Sequence, residues 1–155
     1  MKQPFKTARE VSEYLLMRTG RAMKAGDFDA FQACFQFPVE IQTFQGQSVI
    51  SGVSELKAVF DAVRTHYAKT GVTEIVRHCI EAEFTDPHRV IATHETRLVS
   101  RNVITQEPYP VLSVLYYDGE DWYVTSSSYA IEDREDHNAA LLCAQIHRGV
   151  DTAQT

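Results

Sequence analysis

The sequence predicts an α+β domain in which helices cover one face of a mostly antiparallel sheet. In the N-terminal part of the chain, apolar residues recur at helical spacing between capping residues and glycines. Later in the chain, apolar and polar residues alternate instead, and the turn pairs Asp86-Pro87 and Asp118-Gly119 divide that region into strands. The length of 155 residues suits one domain with a single core.

Three N-terminal helices are predicted from their boundaries. Thr7 and Glu10 have the spacing of a capping box, in which each side chain accepts a hydrogen bond from the other residue's backbone N–H. Gly26 supplies a left-handed C-terminal stop, and Asp27 can cap the helix that follows. The predicted helices cover residues 7–25, residues 28–35 and the segment between Gly52 and Gly71.

The strands are predicted from period-two alternation. In the first, Phe37, Val39 and Ile41 alternate with less apolar residues. Pro38 implies a position at a sheet edge or at the start of a strand, because proline has no N–H to donate to a neighbouring strand. Four further strands are predicted over residues 73–84, 89–101, 111–118 and 122–130.

The C-terminal tail is predicted to form one more helix, capped by Asp136 and carrying apolar residues from Ala139 to Ile146. This helix lies beyond the predicted sheet. It would shield a sheet edge, plug the mouth of a cavity or reach a second subunit.

Charge and cysteine content exclude several classes of protein. A formal net charge of −6 argues against nucleic-acid partners, which need clustered Lys and Arg. No apolar run approaches the ~18 residues of a membrane span, and the charged N-terminal segment does not resemble a signal peptide. Three widely spaced cysteines argue against a secreted disulfide framework. We therefore expect a cytoplasmic protein with neither nucleic acid nor membrane as a partner.

The stretch from Ala25 to Leu56 reads AGDFDAFQACFQFPVEIQTFQGQSVISGVSEL. Its order of a Gly-Asp junction, a short helix, a strand with a tight turn and a Gly-x-x-x-Leu helix start resembles the NTF2-like superfamily, including its SnoaL-like and ketosteroid-isomerase-like branches. The resemblance implies a cone-shaped barrel, in which three N-terminal helices wrap a strongly bent sheet around an apolar cavity, and it implies a homodimer. It covers residues 7–130 of a single domain, 1–155, and leaves a C-terminal helical extension over residues 131–155.

Ketosteroid isomerases carry a tyrosine on the first helix, an aspartate base on the first strand and a protonated aspartate on a late strand. In this chain the resemblance places Thr19 at the tyrosine position and Ser113 at the position of the second aspartate. The base position is ambiguous between Glu40 and a non-ionisable neighbour, because the spacing around Pro38 differs. Steroid isomerase activity is therefore not expected, and Thr19, Glu40 and Ser113 are kept as candidate ligand-binding residues.

A paired-histidine site is the sharpest catalytic hypothesis that the sequence offers. Opposite charges favour a hairpin register with three facing pairs: Glu83 with Arg89, Arg77 with Glu95, and His78 with His94. In that register both imidazoles lie on the apolar face, where they could act as acid and base on a bound substrate. Alternatively, each histidine simply hydrogen-bonds a neighbouring side chain. A metal site is not predicted, because zinc needs a third ligand and none has a recognisable spacing.

Two classes of function remain open. One is a module that binds a small apolar molecule or serves dimerisation. The other is an isomerase, dehydratase or cyclase of the SnoaL-like kind, which would need no cofactor. Tyr116 and Tyr117 are further candidate ligand-binding residues on a late strand. The remaining histidines are expected at the surface: His66, His88, His137 and His147.

Overall fold

The computed structural model describes residues 4–101, 103–104, 106–131 and 134–144. In these ranges the helices are α1 (Ala8–Ala25), α2 (Phe28–Gln32), α3 (Val53–Lys69) and α4 (Glu135–Leu141). The strands are β1 (Phe35–Thr43), β2 (Gly46–Ile50), β3 (Glu74–Asp86), β4 (Arg89–Ser100), β5 (Val103–Ile104), β6 (Tyr109–Tyr117) and β7 (Trp122–Tyr129). The predicted α+β class and its three N-terminal helices are confirmed. Among the described helices, none combines the length and apolarity needed to cross a membrane.

The strands form one mixed, open and strongly curved sheet in the order β2-β1-β7-β6-β4-β3, with β5 beside β4. β1 runs parallel to β7, and the other pairs are antiparallel. The edge position that Pro38 suggested is wrong, because β1 lies between β2 and β7. Pro38 instead precedes Val39, where pairing with β2 begins, and lies in the irregular part of the pairing with β7. Its missing N–H is tolerated at such a place.

The boundaries of α1 follow the capping prediction. The Thr7 side chain accepts a hydrogen bond from the N–H of Glu10 at 3.2 Å. The Glu10 carboxylate accepts from the N–H of Lys6, one residue before the partner that a capping box would use. Gly26, with a φ of 72°, ends the helix in the left-handed conformation, and Asp27 caps α2. This two-residue junction turns the chain from α1 back toward the sheet.

Two hydrophobic clusters lie on the inner face of the sheet, the face that the helices cover. The first contains residues of α2 and α3 with β1, such as Phe60 and Val39. The second contains residues of α1 with β4, β6 and β7, and it is built around the fully buried Trp122. A cavity lined by members of both clusters lies between them.

A β-bulge at Ile80 sets the register between β3 and β4. Cys79 pairs with His94, but Glu81 pairs with Thr93, so Ile80 is an extra residue in β3. Side chains that precede Ile80 in β3 therefore point to the face opposite to the one that they would take in a strand without the bulge.

The predicted register of this hairpin is wrong as a consequence. The structure pairs Glu83 with Ile91, Arg77 with Thr96, and His78 with Glu95, and it pairs Arg89 with Asp86. The facing arrangement of His78 and His94 does not occur, because the bulge turns His78 to the outer face, where it is exposed, while His94 is buried on the inner face.

Helix α1 holds the bulge in place. The guanidinium of Arg9 donates hydrogen bonds to the carbonyl oxygens of Cys79 and Ile80, at 2.5 and 2.9 Å. The Glu13 carboxylate accepts a hydrogen bond from the N–H of Cys79 at 2.9 Å. These contacts satisfy backbone groups on the edge strand that no neighbouring strand pairs, so they stabilise the irregular conformation.

Helix α4 packs against α3 through buried imidazoles. The rings of His66 and His137 stack with centroids 4.8 Å apart, and the Tyr67 hydroxyl lies 3.4 Å from Nε2 of His137. The surface position expected for His66 and His137 is therefore wrong, because the tail folds back over α3 instead of projecting away. His88 is exposed, as predicted, and His147 lies outside the described residues.

The predicted cap of α4 is also wrong. The N-cap is Arg134, which makes no side-chain capping hydrogen bond. Asp136 lies inside the first turn and accepts a hydrogen bond from the N–H of His137 at 2.9 Å. The helix therefore begins earlier than predicted, and packing rather than a side-chain cap positions it. Leu141 of α4 contributes to the cavity wall, and the three roles expected for the tail stay predictions.

Candidate functional site

The candidate site is the cavity between the inner face of the sheet and helices α1 and α3. The space open to the centre of a water-sized molecule is about 110 Å³. Since one water molecule needs roughly 10–15 Å³ of such space, a small organic molecule fits. The apolar wall consists of Leu15, Leu16, Met23, Phe31, Phe35, Ile41, Ile50, Leu56, Val59, Val63, Ile75, Leu115, Val124 and Leu141.

The polar wall residues of the sheet lie in rows that cross neighbouring strands. Successive rows contain Arg77, Thr96 and Tyr109, then His94 and Tyr129, then Ser113 and Ser127. The hydroxyl oxygens of Ser113 and Ser127 are 3.3 Å apart, within hydrogen-bond distance. Beyond these rows the wall becomes apolar at Leu115 and Val124. The cavity therefore has a charged end, a polar middle and an apolar end.

Arg77 brings a positive charge to the cavity. Its Nη2 donates to the carbonyl oxygen of Leu16 and to Oγ1 of Thr19, each at 2.7 Å. Gly20 allows this close approach, because a Cβ there would lie 3.1 Å from Nη2. Among the described residues, no carboxylate pairs with Arg77, and Nε and Nη1 make no hydrogen bond. Burial lowers the pKa of Arg77, but a guanidinium keeps its proton in proteins.

Three tyrosine hydroxyls surround the charged end without neutralising it. The Tyr67 and Tyr109 side chains interact with each other, and Tyr129 interacts with the guanidinium of Arg77. Burial raises the pKa of Tyr67 to about 12 and raises the pKa values of Tyr109 and Tyr129 as well. The three phenols therefore stay neutral near neutral pH and offer hydrogen bonds rather than negative charge.

His94 is a neutral imidazole in the middle of the wall. Burial, reinforced by the positive charge of Arg77 and by His78, lowers the pKa of His94 to about 3. Within the described ranges no side chain or backbone group hydrogen-bonds its ring. A neutral imidazole has one donor and one acceptor, so both are available to a molecule in the cavity.

The structure brings three of the predicted site residues together. Thr19, His94 and Ser113 all line the cavity. His78, Glu40 and Tyr116 are instead on the outer face of the sheet, since their strand neighbours on each side face inward. Tyr117 faces inward but lies in the second cluster, where its ring packs 5.4 Å from that of Trp122 and its hydroxyl donates to the carbonyl of Gly119. The functional roles assigned to these residues stay predictions.

Sequence reasoning missed the charged end of the cavity. It paired Arg77 with Glu95 on the charged face of the hairpin, counted Tyr67 among the core-packing residues of the third helix and gave no role to Tyr109. The sequence carried no clear signal of the bulge, because apolar residues precede it at both parities, Ile75 and Cys79 at odd positions and Val76 at an even one. A change of parity within one strand, which is typical of a bulge, is therefore not distinct here.

Comparison with known proteins identifies the fold. No family model matches the chain, and no curated protein matches it. An NTF-2 like protein of unknown function from Shewanella oneidensis aligns with a TM-score of 0.61 and 14% identity, over 79% of this chain and 98% of that one. A domain of unknown function with a cystatin-like fold from Nostoc punctiforme aligns with a TM-score of 0.63 and 17% identity, over 96% of each chain. A ketosteroid isomerase-like protein from Erwinia carotovora atroseptica aligns with a TM-score of 0.56 and 16% identity, over 81% of this chain and 97% of that one.

These likenesses confirm the fold that the resemblance implied: the chain has an NTF2-like fold. At sequence identities this low, the similarities show the fold alone, because one fold hosts many unrelated functions.

The buried histidines predict a pH-dependent stability. Burial lowers the pKa of His94 to about 3 and that of His137 to about 4, from 6.5. Between these pKa values and pH 6.5, the two histidines bind more protons in the unfolded chain than in the folded protein. Their contribution to the free energy of unfolding is therefore complete above pH 6.5 and is lost as the pH falls. Urea unfolding at a series of pH values from neutral to about 5 should show a falling free energy of unfolding.

Replacing a buried histidine should flatten that dependence. His94→Asn should reduce the slope of the unfolding free energy against pH, whereas His88→Asn, at an exposed position, serves as the matched control. An equal slope in wild type and His94→Asn would contradict the neutral, buried state of His94.

Proposed function

We propose that the protein is a binding module for a small apolar molecule, which occupies the cavity between the sheet and helices α1 and α3. The observation that carries the proposal is the cavity itself, with about 110 Å³ of space, a mostly apolar wall and a short set of polar groups on the inner face. Sites of this composition are typical for small molecules, because apolar contacts supply affinity and a few polar groups set the orientation.

Catalysis without a cofactor, in the manner of an isomerase, dehydratase or cyclase, is the alternative. His94 and Ser113 would then supply the acid and base groups. A general base works best when its pKa lies near the working pH, whereas burial and the charge of Arg77 lower the pKa of His94 to about 3. His78 lies on the outer face and contributes nothing to the cavity. These properties favour binding over catalysis.

The proposal extends to a homodimer formed through the outer face of the sheet. Ile91 and Leu112 leave 37% and 46% of their surface exposed on that face, beside the half-buried Val114. An apolar patch of this kind is typical of an interaction surface. A second copy of the chain would cover it, which agrees with the expectation from the family resemblance.

A cytoplasmic location belongs to the same proposal. Cys34, Cys79 and Cys143 are free thiols. Unpaired cysteines are typical of proteins in a reducing compartment.

Filling the cavity should weaken binding. Val63 on α3 lines the cavity and is 4% exposed, whereas Val53 on the same helix is 50% exposed. Val63→Phe should weaken the binding of a neutral apolar probe such as benzyl alcohol by about tenfold or more, because the added ring occupies the space. Chemical-shift titration by NMR measures the affinity, after circular dichroism has verified folding.

Val53→Phe is the matched control and should bind like wild type. Equal affinity of wild type and Val63→Phe, or shifts confined to the outer face of the sheet, would contradict the proposed site.

Charging the outer face should separate the subunits. Leu112→Glu places a carboxylate in the proposed interface, so it should raise the dimer dissociation constant by about tenfold or more. Val53→Glu, on the opposite side of the sheet, is the control. Light scattering after size exclusion measures the mass, and a wild-type protein with the mass of one chain would rule the dimer out.

A further inference from the structure

We propose that the natural ligand of the cavity carries a carboxylate, bound by the guanidinium of Arg77, on an apolar body. This inference rests on the binding function proposed above and adds the chemical class of the ligand. Its starting point is a positive charge that the described part of the protein does not compensate.

Arg77 is half-buried, its guanidinium lines the cavity, and no counterion accompanies it among the described residues. A charge in such a place is costly unless it is paired, so proteins normally pair buried arginines with carboxylates. No ion pair within the described ranges involves Arg77, and the bonds of Nη2 to Leu16 and Thr19 use neutral acceptors. Nε and Nη1 keep their donors, and a carboxylate would supply both the missing charge and the missing acceptors.

The groups around Arg77 suit a carboxylate and not a cation. Thr96 and Tyr109 are its neighbours in the same row across the sheet, and Tyr67 lies in the wall beside Tyr109. Their hydroxyls are neutral donors, and the neutral ring of His94 offers one more N–H from the next row. A cationic group would meet only repulsion from Arg77 here, because the described wall carries no carboxylate.

The remaining wall suits an apolar body. From the charged end, the cavity continues past the Ser113–Ser127 pair to apolar side chains such as Leu115 and Val124. A molecule with a carboxylate at Arg77 would therefore extend its hydrocarbon part into the apolar end. A compact acid of six to ten heavy atoms, roughly the size of benzene plus a carboxylate, matches the space.

A surface groove offers a path for an anion to the charged end. The groove lies between α1, α3 and the start of β3, and it shares with the cavity Gly20, Met23, Tyr67 and Ile75. Two cationic side chains, Lys24 and Arg64, line it together with one acid, Glu74. This local excess of positive charge, on a chain whose net charge is −6, favours approach of an anion at this place.

Matched probes test the inference on the wild-type protein. Benzoate and hexanoate carry the carboxylate, whereas benzyl alcohol and 1-hexanol have the same apolar bodies without the charge. NMR chemical-shift titration at neutral pH and constant ionic strength should give carboxylate affinities about tenfold or more above those of the alcohols.

Variants then assign that preference to Arg77. Arg77→Gln should lower carboxylate affinity by about tenfold or more while alcohol affinity changes by less than about twofold, and Arg77→Lys should retain part of the preference. Arg21→Gln removes an exposed arginine from α1 and should leave both classes of probe unchanged. If Arg77→Gln does not fold, the wild-type probe pairs and Arg77→Lys still decide.

Each outcome separates the two proposals. Equal affinity of wild type for carboxylates and alcohols overturns the carboxylate inference but leaves the binding function intact. A carboxylate preference that survives Arg77→Gln overturns the assignment to Arg77. If none of the four probes shifts resonances of the cavity wall, the proposed function fails, and the carboxylate inference fails with it.

Discussion

A single extra residue in one strand decides which side chains reach the cavity. Without the bulge at Ile80, β3 would keep one parity along its length, and either Arg77 would face solvent or Glu81 would face the core. The bulge removes that conflict, because the strand changes faces in its middle. Helix α1 stabilises this arrangement through Arg9 and Glu13, which hold the backbone of the bulge from outside the sheet.

The same helix also contacts the guanidinium of Arg77, which the bulge turns toward the cavity. One to two turns after Glu13, the carbonyl of Leu16 and the hydroxyl of Thr19 accept hydrogen bonds from Arg77, and Gly20 leaves room for the guanidinium. Strand register and cation position therefore depend on one helix–strand contact. A half-buried charge with no counterion in the described part of the chain lowers stability, and proteins tolerate such costs mainly where function requires them. This cost supports the proposal that the charged end of the cavity binds the ligand.

Features set by near neighbours could be predicted from the sequence, and features set by distant ones could not. The start and end of α1 follow from Thr7 and Gly26, so the pattern of helices was accessible. The register of β3 depends on Arg9, which is 70 residues from the backbone oxygen that it contacts, and charge pairing alone favoured a wrong alternative. That error exchanged the faces of Arg77 and His78, while His94 reached the cavity because β4 has regular alternation.

Chemical modification of the native protein tests this account most directly. Diethyl pyrocarbonate acylates neutral imidazoles that it can reach, and peptide mass spectrometry reports the rate at each histidine. His78 is exposed on the outer face, whereas His94 is 6% exposed on the inner face. In Leu112→Glu, which opens the proposed dimer interface on the outer face, we expect rapid modification of His78 and strong protection of His94. Equal protection of both in this variant would mean that they share the inner face, that β3 lacks the bulge and that Arg77 points away from the cavity.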